Sequence, residues 1–588
     1  MAVKIKNNLL EKKTMRVTDY IADFIYKQGV TDIFMLAGGG SIYLDDGIAC
    51  NKNLNPICIR NEATAPMMAE AYARLNQNLG VAYVTTGPGG ANAVSGLAEA
   101  WVDSAPILII SGQVKKEHTT YNAKIKNFRT FGTQELNIVS IVKPITKYAE
   151  MVDDPKIIRY HLEKAVHLAR TGRPGPVWLD IPLDVQKAII SVDELEGYVP
   201  DPNEFHNENV DDYVAEVLDL LASAKKPLIV AGQGVRSSNS INEFTELIES
   251  LNVPVIFSRL GQDILPFSHK NNFGHGGIKG LKHTGLIMKE SDLVISVGSR
   301  LSVQFVGEKF DAFSNDAKIV MVDIDEAELI KPGLKIDLPI RSDAKVFINK
   351  LLEKVKEYKM PDYKDWFEKC QYYLEKYPTI TPDLKRNPID LYYFIHRLDE
   401  LSNKNHILVD DAGSTYYVTG QVFKFEHGQR EITSGAFASM GLTIPLAIGC
   451  SVAKKDAQVL AITGDGSLEL NVQELKTMSY HNFNIKLFVI NNGGYVSIRN
   501  TQDAVCEGRY IGSDLTSGIG TLKLKKIAEA FELPYFSIER YEEIDDKLKE
   551  IMSEKGPAFV EVICDNKQQI IEALRSHEDT EETKMVVN

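Results

Sequence analysis

Two short turns carry residue types from which metal chemistry is built: Gly464-Asp465-Gly466-Ser467 and Asn491-Asn492-Gly493-Gly494. The apolar run Val459-Leu460-Ala461-Ile462 before the first predicts a buried strand, and Leu487-Phe488-Val489-Ile490 before the second predicts another. Between them the pattern predicts a helix starting near Leu468, with Leu470, Leu475 and Met478 on one face. Two parallel strands joined by one helix bring both turns to the carboxyl edge of a sheet, where α/β proteins bind ligands. The Asp465 carboxylate, the Asn492 amide and a bared carbonyl at Gly494 form a hard-oxygen set. Such a set suits magnesium that is also held by a diphosphate, and the N–H groups opening the helix suit a phosphate oxygen. Either turn alone reads as ordinary loop structure; the pair carries the signal.

The spacing is specific. Residues 467–490, a gap of 24, separate Gly466 from Asn491. The stretch resembles the thiamine-diphosphate (ThDP) and metal site of the acetolactate synthase, pyruvate oxidase and pyruvate decarboxylase family. The resemblance implies a ThDP cofactor held through Mg2+ by Asp465, Asn492 and the Gly494 carbonyl, with Gly466, Ser467 and Tyr495 also against the cofactor. ThDP supplies carbanion chemistry, and the protein must place a carboxyl group beside the aminopyrimidine in surroundings poor in water. Glu62, in Arg60-Asn61-Glu62-Ala63-Thr64-Ala65-Pro66, resembles the activating glutamate of the family. On its own it reads as a first-turn glutamate favoured by the helix dipole.

Further segments match in the same way. Thr85-Thr86-Gly87-Pro88-Gly89-Gly90-Ala91-Asn92 resembles the strand-end loop against the aminopyrimidine, which assigns cofactor contacts to Pro88 and Asn92. Asp411-Ala412-Gly413-Ser414-Thr415 resembles the loop that hydrogen-bonds the diphosphate, through Gly413, Ser414 and Thr415. Ser434–Gly441 resembles the segment supporting the bent cofactor, with Met440 as its apolar prop and the Ala438 carbonyl as an acceptor. Phe131-Gly132-Thr133-Gln134-Glu135 resembles the Phe-Gln-Glu segment of acetolactate synthases, so Gln134 is the expected pocket amide.

The chain also departs from that pattern. Ser414 and Thr415 stand where acetolactate synthases usually have Gln and His, Thr133 replaces a phenylalanine, and Gly38-Gly39-Gly40 replaces Pro-Gly-Gly. After the metal loop, Arg499, Thr501 and Gln502 occur with no Gln-Trp pair. The triple glycine, with Ser41 and Tyr43, resembles members associated with sugar or polysaccharide pathways, and Arg499, Thr501 and Gln502 lead us to expect a more polar, sugar-derived acceptor. The alternative for Arg499 is a solvated helix residue.

The elements that must position these residues recur along the chain. A doubly wound α/β domain is expected over 15–185, with strands near 56–59, 81–85, 107–111 and 177–181 and a helix over 62–75. A second is expected over 205–345, and a third, carrying the two turns, over 385–565. Residues 353–390 read as a linker with a surface helix, and 570–588 as a flexible acidic tail. In the middle domain, Gly274–Gly277, Gly298-Ser299-Arg300 and Asp323 with Asp325 resemble loops that hold FAD, which leaves a flavin open.

Composition bounds the rest. The 588 residues are 44% hydrophobic, with a net charge of −14, and carry no Lys/Arg-rich block, which speaks against nucleic-acid or anionic-membrane partners. Six scattered cysteines without a CxxC pair point to a reducing, cytoplasmic setting. No segment has the ~20 apolar residues of a membrane helix. The resemblance covers about residues 15–565 and implies a homodimer at least, with a tetramer the expected assembly. The expected activity is an acetolactate synthase-like transferase or lyase: decarboxylation of a 2-oxo acid such as pyruvate, then transfer of the two-carbon unit to a carbonyl acceptor. The rivals are a ThDP-dependent C–C lyase or hydrolase of a cyclic or sugar-derived ketone, a pyruvate-oxidase-type flavoenzyme, and a non-catalytic regulatory subunit.

Overall fold

The computed structural model describes residues 14–201, 210–308, 313, 317–403 and 405–572. Most of the acidic tail expected over 570–588 lies outside the described residues. The chain divides into two compact units, Met1–Glu204 and Phe205–Asn588.

Three six-stranded sheets form the framework, one in the first unit and two in the second. Every strand pair within them is parallel. Buried on both faces, the strands read as continuous apolar runs rather than as alternation: Val459–Ile462 and Leu487–Ile490 are essentially fully buried. The fold is thus three parallel-sheet α/β layers, as expected.

In the first sheet the strands stand in the order Asn55–Cys58, Asp32–Met35, Gly80–Val84, Ile107–Gln113, Val177–Pro182, Tyr148–Met151. In the third the order is Arg430–Ile432, Ile407–Val409, Val459–Gly464, Ile485–Asn491, Ala558–Ile563, Tyr535–Ile538. Numbered along the chain, both read second, first, third, fourth, sixth, fifth. These two sheets therefore share one topology. The middle sheet differs, with its first strand, Pro227–Ala231, between Val255–Phe257 and Leu293–Val297. Its order is the dinucleotide-fold order. In the first and third sheets the chain reverses direction of build-up between the first and third strands, and the loops leaving those strands carry Pro88, Gly413–Thr415 and Asp465–Ser467, with the other candidates on the loops after the neighbouring strands.

Several boundaries shift. The helix expected over 62–75 runs Thr64–Asn76, because Asn61 terminates the preceding turn: its Oδ1 accepts from Ala63 N at 3.0 Å and its carbonyl from Thr64 N at 3.0 Å. Glu62 therefore lies in the turn before the helix and not in its first turn. The helix expected near Leu468 begins at Asp465 and ends at Leu468, and a 3-10 stretch over Glu469–Glu474 follows, broken by Asn471 at φ −134°. That break turns Leu470 out to solvent, whereas Leu475 and Met478 stay buried. Residues 364–376 are not a surface helix on a linker. Trp366 and Cys370 of that helix are buried in the middle sheet's core with Phe273 and Met288, and the Trp366 indole donates to the Pro227 carbonyl at 3.0 Å.

Candidate active site

In the second unit, three loops meet at the carboxyl edge of the third sheet. Gly464 pairs with Ile490 in register, so the two turns named from sequence leave adjacent strands at the same height. They are tied directly: Asp465 Oδ2 accepts from Gly493 N at 3.1 Å and Gly494 N at 2.9 Å, and Oδ1 from Gly466 N at 2.9 Å. Burial pushes the Asp465 carboxyl up to about 6, against the opposing pull of the three N–H groups and the Arg499 charge. The positive φ of Gly493 (74°) and Gly494 (107°) aims both N–H groups at one carboxylate. A Cβ on Gly466 would sit 2.1 Å from the Tyr495 ring, so this glycine lets the ring lie on the turn.

The paired asparagines divide their work. Asn491 Nδ2 donates to Glu561 Oε1 on the neighbouring strand at 2.6 Å, a sheet contact. Asn492 is buried beside the turn, and among the described residues its side-chain amide is left for another partner. The Gly494 carbonyl accepts from Val496 N at 3.2 Å and keeps a second lone pair. Among the described residues no group of three or more His, Cys, Asp or Glu is placed to hold a metal. The donor set here is one carboxylate, one amide and one carbonyl, all hard oxygen, which fits a magnesium ion that takes its remaining ligands from water and a diphosphate.

The third loop leaves the strand Ile407–Val409. Gly413, at φ +63°, opens the helix Gly413–Val422. The two hydroxyls expected to face phosphate part company. Ser414 Oγ is buried without a partner among the described residues, an orphaned donor suited to a phosphate oxygen. Thr415 Oγ1 instead donates to the Ala412 carbonyl at 2.8 Å. Ser467 is likewise engaged, donating to Asp411 Oδ2 at 2.6 Å and accepting from Gly441 N at 2.8 Å. Ala438 holds φ +50°, a strained value for alanine that re-aims the adjoining peptide, and its N–H donates to Ser434 Oγ at 2.8 Å. Met440 is half-buried in the same segment.

Asp411, which is not among the residues the sequence pattern singles out, is the hub of this edge. Fully buried, it accepts from Ala412 N (2.7 Å), Gly441 N (3.2 Å), Thr463 Oγ1 (3.1 Å) and Ser467 Oγ (2.6 Å). It thereby joins the loop over 411–415, the segment over 434–441 and the turn over 464–467. Only its place beside Gly413 could have hinted at this.

Arg499 fits neither expectation. It is buried, and its guanidinium donates to the carbonyls of Gly493 (3.0 Å), Ser513 (2.9 Å), Asn492 (3.0 Å) and Asn566 (3.2 Å). Gln502 bonds Ile511 O and Ser513 Oγ, and Thr501 bonds Ser497 O. Arg499 and Gln502 brace the loop over 492–494 and the segment over 511–513, whereas exposed Thr501 bonds only within its own helix, so Arg499 and Gln502 give no argument for a polar acceptor.

In the first unit, Glu62 is buried, with Oε2 accepting from Asn92 Nδ2 at 3.0 Å. A Cβ on Gly89 would lie 3.3 Å from Glu62 Oε1, so the loop after the strand Gly80–Val84 passes directly over the carboxylate. Pro88, exposed, opens the helix Pro88–Val102. Gly87 holds φ +58°, and a Cβ there would strike the Gln134 carbonyl at 1.9 Å. Gln134 is thus brought to the same edge, exposed and itself at φ +61°. Behind them lies a buried network: Thr86 Oγ1 donates to Gln113 Oε1 at 2.7 Å, and Gln113 Nε2 to Asp180 Oδ2 at 2.9 Å. Gly38 and Gly40 pack on Thr85 and Thr86, where a Cβ would fall 2.4 and 2.7 Å from those side chains.

The loops that resemble a flavin site offer less. Gly232, Gly234 and Gly298 pack on one another, with a Cβ on Gly232 only 2.3 Å from the Gly298 carbonyl. Gly276 is covered by Ile256 and Phe305. Arg300 pairs with Glu328 at 3.8 Å, and Asp325 accepts from Ala327 N as a helix cap. These glycines are filled by protein rather than open as a cradle, and no step is assigned to a flavin.

Residues 15–141 match the N-terminal TPP binding domain of thiamine pyrophosphate enzymes, 214–351 their central domain, and 411–562 their C-terminal TPP binding domain. The chain is 32% identical over 575 residues to the acetolactate synthase large subunit of Lactococcus lactis subsp. lactis, covering 96% of this chain and 95% of the relative. It is 29% identical over 557 residues to the acetolactate synthase large subunit of Buchnera aphidicola, covering 93% and 94%. It is 30% identical over 575 residues to the chloroplastic acetolactate synthase 2 of Nicotiana tabacum, covering 95% and 83%. No helix among the described residues is long and apolar enough to cross a membrane. With a shared-height pair of oxygen-bearing turns in one unit, a sheltered carboxylate in the other, and likeness along nearly its whole length, the chain belongs to the ThDP-dependent, acetolactate synthase-like family of carboligase and decarboxylase enzymes.

Proposed function

We propose that this enzyme decarboxylates a 2-oxo acid, pyruvate first among them, and joins the remaining two-carbon unit to a carbonyl acceptor. The reading rests above all on the closure of two loops on one carboxylate, Asp465 receiving the N–H groups of Gly493 and Gly494 with the Asn492 amide beside it. Asp465, Asn492 and the Gly494 carbonyl would hold Mg2+, and Ser414 Oγ, with the backbone at Gly413, Gly466 and Ser467, would face the diphosphate. ThDP, when bound, would supply a nucleophilic carbon for the 2-oxo acid and a sink for the electron pair left behind when CO2 departs.

The chain's own residues do the rest. Glu62, held by Asn92 and roofed by the Gly89 backbone, would share a proton with the aminopyrimidine ring, in a pocket dry enough for that proton to stay put. The Ala438 carbonyl would orient the ring's amino group, and Met440 would exclude water beneath it. Pro88 and Tyr495 would bound the cofactor, and the Gln134 amide would line the entrance for the acceptor. A homodimer is the proposed minimum active unit, one copy giving the Glu62 half and another the Asp465 half, with a tetramer as the next assembly. A sugar-derived acceptor retains the departure at Gly38–Gly40 in its favour.

The test is incubation with ThDP, Mg2+ and pyruvate, following CO2 with and without carbonyl acceptors. Glu62→Gln is expected to lower turnover by about 10^2–10^4-fold while ThDP still binds. Unchanged turnover in that variant would remove the proton-sharing role.

A further inference from the structure

One charged patch in the first unit has no part in the reading above. Between Lys115 and Gln134 stand Lys115, Lys116, Lys124, Lys126 and Arg129 against the single exposed carboxylate of Glu117, in a chain whose net charge is −14. Lys115, Lys124, Lys126 and Arg129 are exposed, and among the described residues none of these four is ion-paired. Lys116 alone is engaged, its ammonium donating to the Asp153 carbonyl at 2.7 Å and its backbone N–H to Asp184 at 3.0 Å.

The loop is anchored, not frayed. Glu135, buried at its base, accepts from Thr120 N (3.0 Å), Thr120 Oγ1 (2.7 Å) and Phe131 N (3.0 Å), clamping both ends of the segment together. Lys124 and Asn127 hold φ near +53° and +61°, so the tip is a defined turn. Aromatic rings accompany the charges: Phe131, 53% exposed, meets His118 edge-on at 5.9 Å and Phe128 at 5.5 Å.

The loop's far end also reaches the chemistry. It runs into Gln134, whose carbonyl abuts Gly87, and the Gly87–Gly89 turn covers Glu62. Anchored cations that form no ion pair among the described residues, a few positions from Gln134, outnumber the nearby carboxylate of Glu117 and make a local positive field in an acidic protein.

We propose that this loop selects a carbonyl acceptor bearing a phosphate group, with Lys124, Lys126 and Arg129 binding the phosphate and thereby determining specificity. The proposal rests on the carboligase reading above and adds the acceptor's chemical class. Phosphate oxygens take charge-assisted hydrogen bonds from such side chains, and the neighbouring rings would stack on a base if the phosphate belongs to a nucleoside diphosphate.

The experiment uses the ThDP–Mg2+ holoenzyme with pyruvate and two matched acceptors, glyceraldehyde and glyceraldehyde 3-phosphate. UDP, titrated calorimetrically, serves as a separate nucleoside-diphosphate probe. The wild-type enzyme is expected to favour the phosphorylated acceptor in kcat/KM. Combining Lys124→Gln, Lys126→Gln and Arg129→Gln is expected to reduce that preference at least about tenfold, from three exposed contacts of modest individual size. Acceptor-free CO2 release and the use of glyceraldehyde stay unchanged. Raising the ionic strength from about 0.05 M to about 0.3 M should erode the preference in the wild type and not in the triple variant, and Lys124→Arg with Lys126→Arg should retain it. UDP binding lost in the triple variant would place the phosphate on a nucleotide; binding of glyceraldehyde 3-phosphate alone would place it on a simple sugar. A preference unaffected by the triple substitution overturns the proposal. So does a variant that changes only sedimentation, which would make the loop a subunit contact, and so does failure of both phosphate probes to bind the wild type. Failure to release CO2 from pyruvate would overturn the donor assignment instead, leaving the binding result to decide this one.

Discussion

The Glu62 region and the Asp465 region are built to the same strand order and held in opposite ways. Around Asp465 almost every polar group is bonded several times over: three backbone N–H groups on its carboxylate, four carbonyls on Arg499, four donors on Asp411. Glu62 is also buried, but one side-chain amide, from Asn92, is its hydrogen-bond partner. The difference matches the two tasks proposed for them. A cation and a diphosphate are bound by ligands that do not move, since each misplaced oxygen weakens the site. A group that exchanges a proton needs a dry setting and an unfilled side, because extra donors would fix it in its charged form.

The largest expected break in that comparison is Asp465→Ala. It removes a proposed metal ligand and leaves the Gly493 and Gly494 N–H groups unpaired, so Mg2+-dependent ThDP binding should weaken by at least about 100-fold, measured by calorimetric titration. Arg499→Met comes next. Leaving four loop carbonyls without their donor should lower unfolding free energy by about 2–4 kcal/mol, read by denaturant melts, with the ratio of kcat/KM between acceptors unchanged. A shifted ratio would return Arg499 to the substrate.

The smallest effect sharpens the other side. Asp180, beneath the Glu62 loops, accepts from Ser111 Oγ at 2.6 Å and from Gln113, and burial pushes its carboxyl up from 3.8 to about 7. Between those values the folded chain keeps a proton that the unfolded chain has released. Stability therefore falls as pH rises through this window, by at most about 1.4 kcal/mol per pH unit, and is level above it. Asp180→Asn should remove that slope. Unfolding curves of both proteins at pH 5, 6, 7 and 8 decide it, and parallel pH dependence would show that Asp180 does not titrate there.

Much of the site could be read before any coordinates. Val459–Ile462 and Leu487–Ile490 are apolar runs too short for helices, and glycine, acid and amide residues at fixed offsets follow them. Local sterics and burial settle such features, so the strands and the turns at their ends appear where the pattern puts them. The break at Asn471 was hidden, because Leu470, Leu475 and Met478 have helical spacing whether or not the backbone kinks. Trp366 was hidden too: a charged amphipathic helix looks alike on a linker and on a core until the neighbouring sheet is known.

The sequence by itself determined the class of layers, the two oxygen-bearing turns and their separation, since these follow from hydrophobic period and backbone freedom within a few residues. Tertiary structure alone decided which polar groups are free. Thr415, Ser467 and Arg499 are taken up by carbonyls and carboxylates as far as 67 positions away, while Ser414 is left without a partner among the described residues. A hydrogen bond depends on distance in space to within a few tenths of an ångström, and nothing in the order of residues along a chain measures that.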